Sequence, residues 1–439
     1  MKESIKKRIE AVRRGEVPEE YDETAAGIIP ADWSNTPLSA ISEAISETAG
    51  YRNFETLSIS AGIGFVNQAE KFGKELSGKQ YAKYTVLRRG DFAYNKGNSK
   101  RYPQGCTYML KEREDAVVPN VFECFRIICG QPEYYEQLFI HGFMNKQLTR
   151  KINHGVRDDG LLNLTEEDFY STDLPVPPFT EQQKIAEILA TCDRMIELKQ
   201  SKIDELNKLK QVCLLEMFPQ KGQTIPKRRF PGFSAPWEQR KLGELIREIS
   251  TGKSVNSDEG IVGADNIGVL KTSCVSYDHF DPSESKPVVK DERHLVKCAV
   301  EEDSVIVSRM NTPERVGACG YVERSFPNLF LPDRLWKLKF QENVNTYFLY
   351  TMLISGGYKE KITSMASGTS GSMYNIPKDA FLNLRLTLSL DIDEQKKIGD
   401  YFKQLDRLIT LHQRELAEAG KYKKALMQLL LTGLVRVNA

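Results

Sequence analysis

The sequence predicts an α+β fold written twice: two similar mixed domains, each followed by a long helix, with the two helices pairing as an antiparallel coiled coil in a pseudo-twofold molecule. Three observations carry this expectation. A segment recurs, since Glu181-Gln182-Gln183-Lys184-Ile185 returns 213 residues later as Glu394-Gln395-Lys396-Lys397-Ile398. Both copies continue with an unbroken four-and-three spacing of apolar residues, the mark of a helical seam. Each copy follows a domain-sized stretch that alternates short β-like runs, turns and amphipathic segments.

The repeat divides the chain. Residues 1–178 form the first domain with a helical segment over 1–16, 179–222 the first long helix, 223–388 the second domain, and 389–439 the second long helix and tail. The same offset aligns Asp193-Arg194 with Asp406-Arg407, and Lys208 and Lys210 with Lys421 and Lys423. Upstream it drifts by about a residue, so that Asp91 meets Asp303 and Phe169 meets Phe381, while Trp33 meets Trp237 at an offset of 204. Between these anchors the halves scarcely resemble each other. A shared scaffold with divergent loops is what two copies show when each binds something different.

In the first helix the seam runs through Ile185, Leu189, Cys192, Ile196, Lys199, Ile203, Leu206, Lys210, Cys213 and Met217. In the second it runs through Ile398, Phe402, Leu405, Ile409, His412, Leu416, Ala419, Lys423, Leu426 and Leu430, so the polar breaks at Lys199 and Lys210 recur at His412 and Lys423. Single polar seam residues cost stability and commonly fix register and partner choice, which suits two helices that pair with each other. The alternative is a tolerated surface lysine. Pro175, Pro177 and Pro178 forbid earlier helix, Thr180 with Gln183 makes a capping box, Pro219 and Gly222 close the first helix, and Gly433 closes the second. From Glu181 to Met217 such a strut measures roughly 55 Å, enough to bridge half-sites about 34–36 Å apart on one face of B-DNA.

Within the domains, Val86–Tyr94 and Val300–Val307 read as turn then strand, Val121–Ile127 and Leu335–Phe340 as half-buried strands, and Tyr134–Ile152 and Asn345–Ile362 as helices. A polar, basic loop follows the first strand of each copy. In the first it offers Lys96, Asn98, Lys100 and Arg101, and in the second Arg309, Asn311, Thr312 and Arg315. A second loop follows the helix, with Asn153, His154 and Arg157 in one copy and Thr369, Ser370 and Ser372 in the other. These side chains hydrogen-bond base edges and phosphates, and their recurrence at matching places sets them apart from ordinary solvated loops.

Composition limits the alternatives. At 439 residues the chain exceeds one ordinary core, and 40% hydrophobic with 28% charged residues excludes disordered and fibrous classes. No run approaches the roughly 20 apolar residues of a membrane span, and the first residues lack the apolar run of a signal peptide, so no membrane association and a cytoplasmic location are expected. Eight cysteines without a C-x-x-C pair fit a reduced compartment, and five histidines at no ligand spacing predict no metal site. The net charge of +1 requires any nucleic-acid footprint to be local.

No catalytic residue is predicted. Val176-Pro177-Pro178-Phe179 resembles the N-P-P-[FY] tetrad of adenine methyltransferases, but Val176 replaces the amide side chain that holds the base. Thr251-Gly252-Lys253-Ser254 resembles a phosphate loop, yet glycine is missing at position 247. The triplets Glu284-Ser285-Lys286 and Glu197-Leu198-Lys199 resemble nuclease motifs without the strand context those need.

Taken together, several segments resemble the specificity subunits of type I restriction–modification systems. Leu174-Pro175-Val176-Pro177-Pro178-Phe179-Thr180-Glu181-Gln182-Gln183-Lys184-Ile185-Ala186 and Asp393-Glu394-Gln395-Lys396-Lys397-Ile398-Gly399 are similar to the helical regions of that family. Gly27-Ile28-Ile29-Pro30-Ala31-Asp32-Trp33 and Phe230-Pro231-Gly232-Phe233, with Trp237-Glu238-Gln239-Arg240-Lys241-Leu242-Gly243, are similar to the openings of its two target-recognition domains. The second helix departs from the pattern by lacking the leading prolines and by carrying Gly420 in its course. The resemblance implies a non-catalytic DNA-binding chain in which each domain reads half of an asymmetric, interrupted double-stranded target. It also implies that the paired helices set the gap and dock two modification (methyltransferase) subunits, which use S-adenosylmethionine to methylate adenine, and that motor-nuclease restriction subunits using ATP and Mg2+ join them; this chain itself needs no cofactor. The rival expectation is a coiled-coil adaptor whose two heads bind proteins.

Overall fold

The computed structural model describes residues 3–74, 78–97, 101–152, 161–263, 266–276, 279–368 and 373–437. The chain forms two compact units, one of Met1–Lys199 with Glu415–Ala439 and the other of Gln200–Arg414.

In the first unit the segment expected to be helical forms α1 (Glu3–Arg13), with Ile5, Ile9 and Val12 half-buried along one face. The central sheet comprises β1 (Ser42–Ala44), β2 (Phe92–Asn95), β3 (Cys106–Met109) and β4 (Glu123–Ile127), in the antiparallel order β1-β4-β2-β3. The inner strand β2 reads Phe-Ala-Tyr-Asn and buries its first three side chains, as a strand covered on both faces must. The expected turn-then-strand of Val86–Tyr94 is instead two strands, Thr85–Arg88 and Phe92–Asn95. Gly90 turns the chain with φ +91°, and the Asp91 carboxylate accepts the Arg88 amide at 2.7 Å.

The single helix expected over Tyr134–Ile152 is also two, α2 (Pro132–His141) and a shorter one at Asn145–Lys151. Gly142, at φ +75°, ends α2 in the left-handed conformation that glycine adopts without strain. The first long helix, α3 (Phe179–Glu216), starts two residues before Glu181. Thr180 therefore lies inside the helix it was expected to cap, and the Pro178 carbonyl accepts the Glu181 and Gln182 amides at 2.9 and 3.0 Å.

The second unit repeats the plan. Strands β5 (Ile246–Thr251), β6 (Ser304–Ser308), β7 (Cys319–Val322) and β8 (Leu335–Phe340) form a sheet in the order β5-β8-β6-β7, the same order as in the first unit. All five side chains of β6, Ser-Val-Ile-Val-Ser, are buried. The helix expected over Asn345–Ile362 again divides, into α4 (Thr346–Ile354) and Gly356–Ser364, with the break at Ser355 followed by two glycines. This unit carries a further four-stranded sheet of Ser285–Pro287, Gly268–Leu270, Phe326–Phe330 and Ala299–Val300. The second long helix, α5 (Ile392–Leu430), begins where the Asp391 carboxylate accepts the Asp393 and Glu394 amides at 2.9 and 3.2 Å, an N-cap in place of the missing prolines. It runs on through Gly420, which is exposed.

Each core is completed by two long helices. In the first unit Phe92, Phe125 and Tyr134 pack with Ile185 and Leu189 of α3 and with Met427 and Leu430 of α5. In the second, Val305, Trp336 and Phe348 pack with Ile398 and Phe402 of α5, with Cys213 of α3 and with Met217 just past its end. Ile203, Leu206, Leu405 and Ile409 are buried, and Ile196, Lys199, His412 and Leu416 are half-buried, whereas Met195, Leu198, Leu209 and Val212 beside the seam remain exposed. The eight cysteines are unpaired. Among the described residues no helix is long and apolar enough to cross a membrane, and no cluster of side chains could hold a metal ion.

Candidate nucleic-acid interface

In each unit the two polar loops read from sequence are joined to one another. In the first, Gly97 bridges Leu161, and the Leu162 amide donates to the Lys96 carbonyl at 2.8 Å. In the second, Met310 and Asn311 pair antiparallel with Asn375 and Tyr374, and Ser367 bridges Asn375. The sheet thus ends in a two-loop tip at the same place in both units. Asn98, Lys100, Asn153, His154, Arg157, Thr369, Ser370 and Ser372 lie outside the described residues.

The remaining candidates fall into two groups. Lys96 is mostly covered and ion-paired with Glu123 of β4, so its charge is committed within the domain. Asn311 is buried at 7% exposure, donating to the Ser308 hydroxyl at 3.1 Å while its side-chain oxygen accepts the Thr312 amide at 2.9 Å. It shapes the loop rather than projecting from it. Arg309 lies 5.8 Å from the centre of the Trp336 ring, a cation–π arrangement that aims the guanidinium. Arg101, over the Tyr102 ring at 5.7 Å, and Thr312 and Arg315 are exposed, as groups that meet a ligand must be. Replacing Asn311 with alanine strands the Ser308 hydroxyl and the Thr312 amide, and is expected to cost about 1–3 kcal/mol, read as a fall in the thermal midpoint.

Each long helix joins its domain through a junction that the sequence reading missed. Gln182 accepts the Gln131 amide at the start of α2 (2.8 Å) and donates to the Pro177 carbonyl (2.9 Å). Gln395 does the same for Asn345 at the start of α4 (2.8 Å) and for Ser389 (2.7 Å). The preceding glutamates are equally matched. Trp33 donates its indole N–H to Glu181 at 3.1 Å, and Trp237 donates to Glu394 at 3.1 Å. A guanidinium from beyond the end of the other long helix closes each site: Arg436 on Glu181 at 2.8 and 2.9 Å, and Arg229 on Glu394 at 2.5 and 2.8 Å. Arg436 also holds Asp32 at 2.7 Å, which lowers the Asp32 carboxyl below its ordinary range. The tryptophans and glutamates aligned in the repeat, but Arg229 and Arg436 do not, so nothing local announced them.

The polar seam residues are likewise partnered. In the first unit Lys423 meets Asp193 at 2.5 Å and Lys199 meets Glu415 at 2.8 Å; in the second Lys210 meets Asp406 at 2.7 Å. Asp193 and Asp406 are repeat equivalents, as are Lys210 and Lys423, so the contacts are reciprocal. Each aspartate also accepts a bond from its own domain, from Gln137 at 3.2 Å and from the Tyr347 hydroxyl at 2.7 Å.

The family profile described as Type I restriction modification DNA specificity domain matches residues 127–208 and 235–420. The chain is 26% identical over 285 residues to the type I restriction enzyme MjaVIII specificity subunit of Methanocaldococcus jannaschii, covering 64% of this chain and 66% of that protein. It is 24% identical over 299 residues to the type I restriction enzyme EcoKI specificity subunit of Escherichia coli K12, covering 65% of this chain and 62% of that one. The matched regions thus span just under two thirds of both relatives. In structure, it is similar to the type I restriction–modification S subunit from M. genitalium, with a TM-score of 0.56 at 13% identity over 91% of this chain and 96% of that one. That likeness is one of fold.

Proposed function

Because the chain belongs to the type I restriction–modification DNA specificity family, we propose that it is the non-catalytic subunit that gives such a complex its DNA address. Each domain reads one half of an asymmetric, bipartite double-stranded target through its two-loop tip. The long helices pair as an antiparallel coiled coil, arrange the domains about a pseudo-twofold axis, set the gap and dock two methyltransferase subunits. S-adenosylmethionine, ATP and Mg2+ serve those partners and the motor-nuclease subunits, not this chain.

The observation that supports this most directly is the junction of the two loops in both units. The scaffold at the tip is the same, down to the bridge between loops, while the projecting groups differ: Arg101 on one, Thr312 and Arg315 on the other. A shared frame with different donors suits unlike half-sites. The reciprocal lysine–aspartate contacts support a fixed helix register and hence a fixed gap.

The test uses the chain with its modification subunits on duplexes carrying the host's methylated-adenine motif. Replacing the first-unit residues Lys96–Arg101 is expected to relax one half-site, and replacing Arg309–Arg315 the other. Affinity should fall steeply with salt. Equal relaxation of both half-sites would refute the assignment of one loop pair to each half. A flat salt response would instead favour an adaptor that binds proteins.

A further inference from the structure

In the second unit an open cleft of about 770 Å³ lies between α4, α5, the end of β7 and the segment 279–282. Its walls are aromatic and its rim is cationic. Tyr321 and Tyr347 meet edge to face at 4.7 Å, and the Lys403 ammonium lies 5.2 Å and 5.8 Å from their ring centres. Arg324, Arg407 and Arg414 complete the rim. Among the described residues neither Lys403, Arg324 nor Arg414 makes an ion pair. Of the carboxylates in the lining, Asp406 is engaged by Lys210 and Tyr347 and Glu323 by Arg407, while Asp281 accepts the amide and hydroxyl of Ser283 in its own turn.

The first unit has a cleft at the equivalent place, and its chemistry is the reverse. It measures about 230 Å³, and its carboxylates are Glu133, Glu136, Asp193 and Glu197, against Lys111 and Arg194. The repeat offset sets Ala190 where Lys403 stands and Glu197 where Thr410 stands, and the paired helix starts set Glu133 and Glu136 where Tyr347 and Tyr350 stand. One scaffold position is therefore wide, aromatic and cationic in one unit, and narrow and acidic in the other.

We propose that the second-unit cleft is a docking site for a carboxylate-rich polypeptide segment bearing an aromatic or aliphatic side chain, carried by a modification subunit. The proposal rests on the reading that such subunits dock on this chain, and it adds where one of them is held and by what chemistry. The rim selects acidic groups by charge, and the tyrosine walls bury an apolar side chain beside them. DNA is the less suitable occupant on topological grounds. The β6–β7 hairpin leads into the polar loop after Ser308, whereas Tyr321 and Glu323 lie at its other end, roughly 13 Å away along a five-residue strand. A surface at that end does not share the tip that meets bases. Because the first-unit cleft offers the opposite charge, two identical subunits are not held alike, and the second unit takes the tighter one.

The test titrates the full chain with its modification subunit and compares wild type with the double variant Lys403→Glu, Arg414→Glu, and with Lys403→Gln, Arg414→Gln. Wild type is expected to bind two copies with unequal affinity. The glutamate variant should weaken the tighter site at least tenfold and leave the weaker one unchanged, the glutamine variant should lie between, and all three should share one melting curve. Unchanged affinity at both sites, or equal loss at both, would overturn the proposal. Intact subunit binding with weakened duplex binding would overturn it in favour of DNA in the cleft. A wild-type chain that binds no modification subunit would overturn the docking reading on which it rests, a result distinct from the others.

Discussion

Replacing Glu394 with alanine is expected to lower the stability of the second unit by about 3–5 kcal/mol, the usual cost of leaving one member of a buried ion pair without its partner. Its carboxylate is fully buried, Arg229 beside it is 11% exposed, and the Trp237 indole N–H donates to the same group. Alanine leaves a guanidinium and an indole donor without their shared acceptor. Since whole domains are stable by only about 5–15 kcal/mol, the urea midpoint should fall sharply at an unchanged slope. Glu394→Gln keeps an acceptor for Trp237 and should lie between. The corresponding change at Glu181 is expected to cost less, because Arg436 is 31% exposed and retains Asp32. A Glu394→Ala variant no less stable than Glu181→Ala would contradict this account of the junction.

Lys210→Glu should be nearly as damaging, and its remedy is specific. The change sets two carboxylates against each other where Lys210 is 8% and Asp406 22% exposed. A loss on the order of 3 kcal/mol is expected, together with the Tyr347 bond that depends on the same aspartate. Adding Asp406→Lys restores an opposite pair and should recover most of it, read as a coupling energy in a double-mutant cycle. If the double variant is as unstable as the sum of the two single ones, the pair does not fix the register.

What the sequence disclosed and what it concealed follow from range. The duplication and the seam were legible because a repeated four-and-three pattern is dense and local, and the residues it named are those that become covered. Leu335–Phe340, expected half-buried but buried at five of its six side chains, was legible as a strand from its residue types. The helix breaks at Gly142 and Ser355 were not, since the apolar pattern runs on while the backbone turns. The fates of Lys96 and Asn311 were hidden because their partners come from elsewhere: Glu123 from another strand, and the Ser308 hydroxyl from the strand end. The joining of the loops was hidden too, because a bridge such as Gly97 to Leu161 leaves no periodic trace between partners so far apart in sequence.

The first unit is discontinuous, being made of Met1–Lys199 and Glu415–Ala439. Met427, Leu430 and Leu431 belong to its core, and Arg436 closes its junction. During synthesis the earliest residues must therefore wait for the latest. At about 5–20 residues per second the delay is roughly 10 to 50 s, during which Ile185 and Leu189 lack the side chains that will cover them. The continuous second unit is ready sooner. The half that leaves the ribosome first is thus the last to finish folding, and it depends most on protection from aggregation while it waits.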